Sequence, residues 1–161
     1  MARTEAAPEA TPLEAPGVRI ALVCSGFHRG LTGNLVTGAR ERLAECGLAA
    51  DRIDEHWVPG AYETPLAAQM LARTGRYAAI VALGAVVRGS TPHFEHVCWN
   101  ASRGLTRVSL DTGIPCTFGI LTCDTVEQAW ARAGGEVGNA GADAADAAVS
   151  LVNLAHRLAG L

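Results

Sequence analysis

The 161-residue chain is 49% hydrophobic and 18% charged, with a formal net charge of −3, the size and balance of one domain with a sizeable core. Its 13 basic residues are all arginine, which excludes every mechanism that needs a lysine amine, from Schiff-base and pyridoxal-phosphate enzymes to the P-loop. The slight acidity without a basic run argues against nucleic acid as a partner. The longest apolar stretch, residues 77–87, falls far short of the ~20 residues needed to cross a bilayer.

Residues 1–16 combine Pro, Ala and Glu without an apolar signal core, and are expected to form a flexible arm ahead of a domain spanning 17–161 in a cytoplasmic protein. Its Pro8, Pro12 and Pro16 suit it poorly to adding an edge strand to a neighbour, because proline donates no ladder hydrogen bond. Val18 to Cys24 is a short apolar run and predicts a buried strand. Asn34 then opens a helix from Leu35 to Cys46, with Gly47 as its stop. Ile53 to Val58 predicts a second strand, closed by Pro59-Gly60. Thr64-Pro65 is a helix start, with Pro at the first helical position, and that helix runs to Gly75.

Tyr77 to Val87 predicts the central strand. A second Thr-Pro pair, Thr91-Pro92, opens a helix from His93 to about Thr112, and Ile114 to Leu121 predicts the fourth strand. Helices from Thr125 to Ala133 and from about Gly141 to Leu158 follow, separated by a glycine-rich linker, residues 134–141. Strands that alternate with helices, and that are for the most part continuously apolar, imply a parallel sheet covered on both faces. The expected fold class is α/β: a flavodoxin-like three-layer sandwich with a four-stranded parallel sheet.

Ligands of such sheets bind beyond the carboxyl ends of the strands. That rule selects residues 25–28, 59–63, 88–93 and 118–124. In Arg88-Gly-Ser-Thr-Pro-His93, a glycine and two hydroxyls, Ser90 and Thr91, lead into a helix N-terminus. Such an end favours an anion, although plain capping explains the same residues. An imidazole at His93 beside an anion site suits proton transfer near neutral pH.

Phe27 can stack on a flat heterocycle or anchor its own loop. Glu63 can accept from ligand hydroxyls or serve the helix dipole. Arg132 is a natural fork for phosphate or a plain surface arginine. His93 and His96 lack a third ligand at recognisable spacing, so no metal is expected. The five cysteines, 24, 46, 98, 116 and 123, show no paired or zinc-binding spacing and are expected to be reduced.

Four segments together carry more than their parts: Val58-Pro-Gly-Ala-Tyr-Glu63-Thr-Pro, Ala82-Leu-Gly-Ala-Val-Val-Arg88-Gly-Ser-Thr-Pro-His93-Phe-Glu-His-Val97, Thr112-Gly-Ile-Pro-Cys-Thr-Phe118-Gly and Glu127-Gln-Ala-Trp-Ala-Arg132-Ala-Gly134. They resemble the 6,7-dimethyl-8-ribityllumazine synthases over roughly residues 18 to 157. The resemblance implies a cofactor-free condensation of 5-amino-6-(D-ribitylamino)uracil with 3,4-dihydroxy-2-butanone 4-phosphate, releasing phosphate and water in the penultimate step of riboflavin synthesis. By the same resemblance Phe27 stacks on the pyrimidine. Ala61, Tyr62 and Glu63 line the ribityl pocket. Ala85, Val86 and Val87 hold the ring edge through backbone groups. Ser90 and Thr91 bind phosphate, and His93 moves protons.

Family sites lie between subunits of a pentamer, in some members assembled further into an icosahedral shell, so Phe118 and Arg132 are expected from the neighbour. Three positions depart from the family pattern: His28, where many relatives carry Asn, and Glu136 and Ala140, where relatives often carry Lys. They leave two alternatives open, a paralogue in a specialised flavin-related pathway and a non-catalytic lumazine- or flavin-binding shell protein. The intact set of Ser90, Thr91, His93 and Arg132 weighs against the second.

Overall fold

A computed structural model describes residues 9–160. The main sheet has four parallel strands in the order β2-β1-β3-β4: β1 (Ile20–Ser25), β2 (Ile53–Val58), β3 (Ala79–Val87) and β4 (Cys116–Cys123). The helices are α1 (Arg29–Glu45), α2 (Thr64–Ala72), α3 (His93–Thr112), α4 (Val126–Arg132) and α5 (Ala140–Ala159). This is the expected flavodoxin-like sandwich. Its main sheet has the expected number of strands.

The two faces of the sheet carry separate cores, and the alternation of side chains along β1 and β3 feeds both. Ile20, Leu22 and Cys24 of β1, with Val81, Leu83 and Ala85 of β3, point into the layer built by α1, α4 and α5. Ala21, Val23, Ile80 and Ala82 point the other way, against α2 and α3. Every residue of β1 is buried, which is why this strand reads as one apolar run rather than as an alternation. Small residues set the helix spacing. A methyl group added at Gly141, in the first turn of α5, would lie 2.1 Å from the carbonyl oxygen of Leu35 in α1. One added at Gly104 in α3 would lie 2.6 Å from Pro65 of α2.

Several boundaries differ from the sequence reading. Helix α1 begins at Arg29 rather than after Asn34, because His28 takes the left-handed conformation (φ 57°, ψ 48°) and turns the chain directly from β1 into the helix. Asn34 lies inside that helix, and its carbonyl accepts from Asn139 Nδ2. Thr64 is already helical, preceded by a 3-10 turn at Ala61–Glu63. Its hydroxyl donates to the Ala61 carbonyl at 2.7 Å rather than capping, and α2 stops at Ala72, short of Gly75. Strand β3 starts two residues later than expected, and β4 is displaced by two residues toward the C-terminus. The glycine-rich stretch contains a small antiparallel pair, β5 (Ala133–Gly135) and β6 (Gly138–Asn139). Asn139 then caps α5, its side-chain oxygen accepting from the N–H groups of Gly141 and Ala142.

Of the expected N-terminal arm, residues 1–8 lie outside the described residues. Leu13 N–H donates to the Cys46 carbonyl. Asn153 accepts from Glu14 N–H and donates to the Pro12 carbonyl, both at 2.8 Å.

The amino ends of the strands, opposite the functional edge, are tied by an ion cluster. Arg19 grips Asp54 in a fork, with contacts of 2.6 and 3.2 Å, and the Tyr77 hydroxyl donates to the same carboxylate at 2.9 Å. These bonds, Arg19 first and Tyr77 second, hold the Asp54 carboxyl below its ordinary value. A depressed carboxyl stabilises the fold above its unfolded-state value of about 3.9, and that contribution is lost as pH falls through the folded-state value. Asp54→Asn is therefore expected to lower the thermal midpoint at pH 7. The gap from wild type should narrow as pH drops to about 3. A gap of constant size across that range in thermal melts would rule out the linkage.

Candidate active site

The carboxyl ends of β1 and β3 open into a cleft of about 570 Å³, roofed by the chain after β2. Phe27 stands at its edge, 69% exposed. The Phe27 turn is fixed by backbone bonds from Gly26 N–H to the Val58 carbonyl (2.7 Å) and from Phe27 N–H to the Pro59 carbonyl (3.0 Å). Gly26 sits so close to β2 that an added methyl would lie 3.1 Å from the Val58 oxygen. The 3-10 turn Ala61–Glu63 forms the second wall. Asn100 of α3 secures it by donating to the Tyr62 carbonyl at 2.7 Å. The floor is the end of β3, Ala85, Val86 and Val87.

The far end of the cleft is the start of α3, with Gly89, Thr91, His93 and Phe94. His93 is the first residue of a 20-residue helix, so its backbone N–H belongs to the group left without intrahelical partners. The expected Thr91 cap is reduced to a long contact, 3.5 Å between His93 N–H and the Thr91 hydroxyl, and no side chain caps the helix at Pro92. The weakly bonded N–H of His93 and the positive helix end make this region receptive to an anion. A flat apolar floor, an exposed aromatic ring, a carboxylate, an anion-receptive helix start and an imidazole therefore share one cleft.

The 6,7-dimethyl-8-ribityllumazine synthase family model matches residues 17–156. A protein of Coxiella burnetii (strain CbuG_Q212) named 6,7-dimethyl-8-ribityllumazine synthase is 51% identical over 136 residues, covering 84% of this chain and 90% of its own length. One of the same name from Desulfatibacillum aliphaticivorans is 48% identical over 145 residues, covering 90% and 94%. This chain belongs to the lumazine synthase family.

Of the residues that the resemblance to lumazine synthases nominated, Phe27, Ala61, Tyr62, Glu63, Ala85, Val86, Val87, Thr91 and His93 line this cleft together. Ser90 is exposed in the loop beside Thr91 and does not line it. Phe118 projects from edge strand β4, 42% exposed, and is not part of the cleft. Arg132, at the end of α4, lines a separate depression of about 670 Å³ with Thr122, Glu127, Gln128, Glu136 and Val137.

The cleft also holds Phe94 and Val97, to which the sequence assigns no contact, and His28, which the strand-end rule selects without giving it a role. Val97 stands four residues after His93 on α3, so helical spacing could have found it. His28 meets Phe27 edge-to-face, with ring centroids 5.0 Å apart. No sequence signal announces the left-handed turn that puts it there. Among the described residues no group of His, Cys, Asp and Glu could hold a metal ion, and no helix is long and apolar enough to cross a membrane.

Proposed function

We propose that this chain condenses 5-amino-6-(D-ribitylamino)uracil with 3,4-dihydroxy-2-butanone 4-phosphate to 6,7-dimethyl-8-ribityllumazine, releasing phosphate and water. The observation that carries the reading is the convergence of Phe27, the Ala61–Glu63 turn, the end of β3 and the His93 helix start on one cleft, in a chain of the synthase family. The pyrimidine would stack on Phe27 with its edge against the backbone of Ala85, Val86 and Val87. Tyr62 and Glu63 would face the ribityl chain, the carboxylate accepting from its hydroxyls. The phosphate would sit at the start of α3 with Thr91, and Ser90 would reach it from the exposed loop at the rim.

The substrate's own 5-amino group supplies the nucleophile. Its attack on the ketone forms an imine and expels water, so no lysine is needed. Loss of the proton on the hydroxyl-bearing carbon between imine and phosphate-bearing carbon then expels the phosphate and leaves an enol, which takes up a proton at its terminal carbon and becomes a ketone. His93, at the helix start, would take the proton that leaves the hydroxyl-bearing carbon. The ring closes when the ribityl-bearing nitrogen attacks the newly formed carbonyl, again with loss of water. The remaining work is alignment of two small molecules, worth several kcal/mol in effective concentration.

The separation of Phe118 and Arg132 from this cleft supports a site shared between subunits of a pentamer or a multiple of it. In that arrangement Phe118 and Arg132 of one subunit face the cleft of the next, and Arg132 clamps the phosphate. Arg132→Ala should then raise KM for the phosphate substrate about 10- to 100-fold, the loss of a charged hydrogen bond, and barely change it for the pyrimidine. Equal losses for both substrates would argue against a clamp. A monomer in light scattering would sink the shared site.

A cytoplasmic location is part of the same reading, supported by five unpaired thiols, among them Cys24, pushed up to about 12 by burial. The deciding experiment mixes purified protein with both substrates and follows lumazine absorbance and phosphate release together. Neither signal above the uncatalysed rate would refute the assignment.

A further inference from the structure

The arginine that opens the Arg88-to-His93 segment has no role in the reaction as described above, yet its side chain joins three elements. Its backbone N–H donates to the Cys123 carbonyl at 2.9 Å, carrying the β3–β4 ladder one residue past the end of β3. Its guanidinium donates from Nε to Asp124 Oδ1 at 2.7 Å and from Nη1 to Glu95 Oε1. It also lies over the ring of Phe94, 4.2 Å from the centroid. Glu95 is in the first turn of α3. Asp124 precedes Thr125, the cap of α4, and its N–H donates to Gln128 within that helix.

Two points follow. Nε and Nη1 of the guanidinium already donate to two carboxylates that offset its charge, and one face covers a ring, so it is a poor phosphate ligand although Gly89, Ser90 and Thr91 follow it directly. Phe94, the ring beneath it, lines the cleft next to His93. A fork held by two carboxylates, one on each side, fixes direction as well as distance, which a single surface ion pair does not. We infer that Arg88 is a positioning residue for the condensation: it pins the Phe94 end of α3, and with it His93, against the turn that launches α4. The inference rests on the reaction proposed above. Because α4 carries Arg132, the same pin sets the tilt of the arm that would reach a neighbouring subunit.

Kinetics and hydrogen exchange on Arg88→Met and Arg88→Lys, beside wild type, test this. In Arg88→Met kcat should fall about 10- to 100-fold, the range expected when a reacting group is displaced by about 1 Å. KM for either substrate should change by less than about threefold. Arg88→Lys keeps the charge but offers a point donor in place of a planar fork, so it should recover little of the loss. Glu95→Gln and Asp124→Asn remove one arm each and keep the shape of the cluster. Each should lower kcat by a smaller factor even if Arg88→Met folds poorly.

Amide exchange over residues 93–96 and 124–128 should quicken together in Arg88→Met while β1 is unchanged. An unchanged kcat, or a rise in the phosphate substrate's KM of about 10-fold with kcat intact, would overturn the proposal. So would an exchange effect confined to one of the two segments. Exchange is read without turnover. A wild-type protein that makes no lumazine therefore counts against the proposed reaction, while the exchange data still decide the pin.

Discussion

His93→Ala is expected to slow turnover by about 10²-fold or less, with KM for both substrates close to wild type. The modest size follows from how the reaction divides its work. The nucleophile is an amine carried by the substrate. The chain has no lysine to form a covalent adduct, and alignment in the cleft survives the loss of one imidazole. What would disappear is the proposed proton acceptor at the first residue of α3, where the phosphate would also leave. The cleft holds a second imidazole, His28, so His28→Ala is the necessary companion. It should disturb stacking next to Phe27 and appear chiefly in KM for the pyrimidine. A His93→Ala enzyme with wild-type kcat would remove the proton-transfer role, whatever its binding constants.

Gly141→Ala is expected to cost about 3 kcal/mol, in the range of overpacking at a tight contact, and to lower the thermal midpoint by about 10 °C. Helix propensity pulls the other way, because Ala in a helix is favoured over Gly by up to about 1 kcal/mol. Contact geometry decides between the two. The new methyl would lie 2.1 Å from the Leu35 carbonyl oxygen and 2.8 Å from its carbon. These are backbone atoms of α1 that cannot rotate away. Relief requires the start of α5 to withdraw, which pulls on the Asn139 cap and its bond to the Asn34 carbonyl. Gly33→Ala is the control. It sits within α1 with nothing inside 4 Å of the added methyl, so propensity acts alone and stability should rise slightly. Equal midpoints for Gly141→Ala and wild type would refute the close crossing.

The sequence was most legible where one physical cause dominated. Strands buried on both faces read as apolar runs, and β2 was bounded correctly because Pro59-Gly60 follows it. Helix α3 was bounded correctly because Thr-Pro precedes its first residue and Gly113, at φ 71°, ends it. Legibility failed where tertiary geometry overrode a local signal. Asn34 looks like a helix cap, but a left-handed residue six positions earlier had already started α1. The β5–β6 pair was invisible because glycines carry no periodicity. The candidate site was readable as a set of strand ends. That Arg88 would find Asp124, 36 residues away, could not be read from spacing at all.

The alternation along β3 has a consequence for chain length. Val81, Leu83 and Ala85 serve one core, and Ile80 and Ala82 the other, while the same strand ends in the cleft floor. Inserting one residue into β3 would exchange the two cores and advance the His93 loop by about 3.3 Å. Packing and chemistry thus share a single ruler. Substitutions along the strand can be absorbed one face at a time, but insertions or deletions cannot. Length changes should therefore be tolerated best in exposed stretches at the opposite, amino-terminal ends of the strands, such as residues 73–76, and not at the buried Cys46, Leu48 or Tyr77 of the same connections.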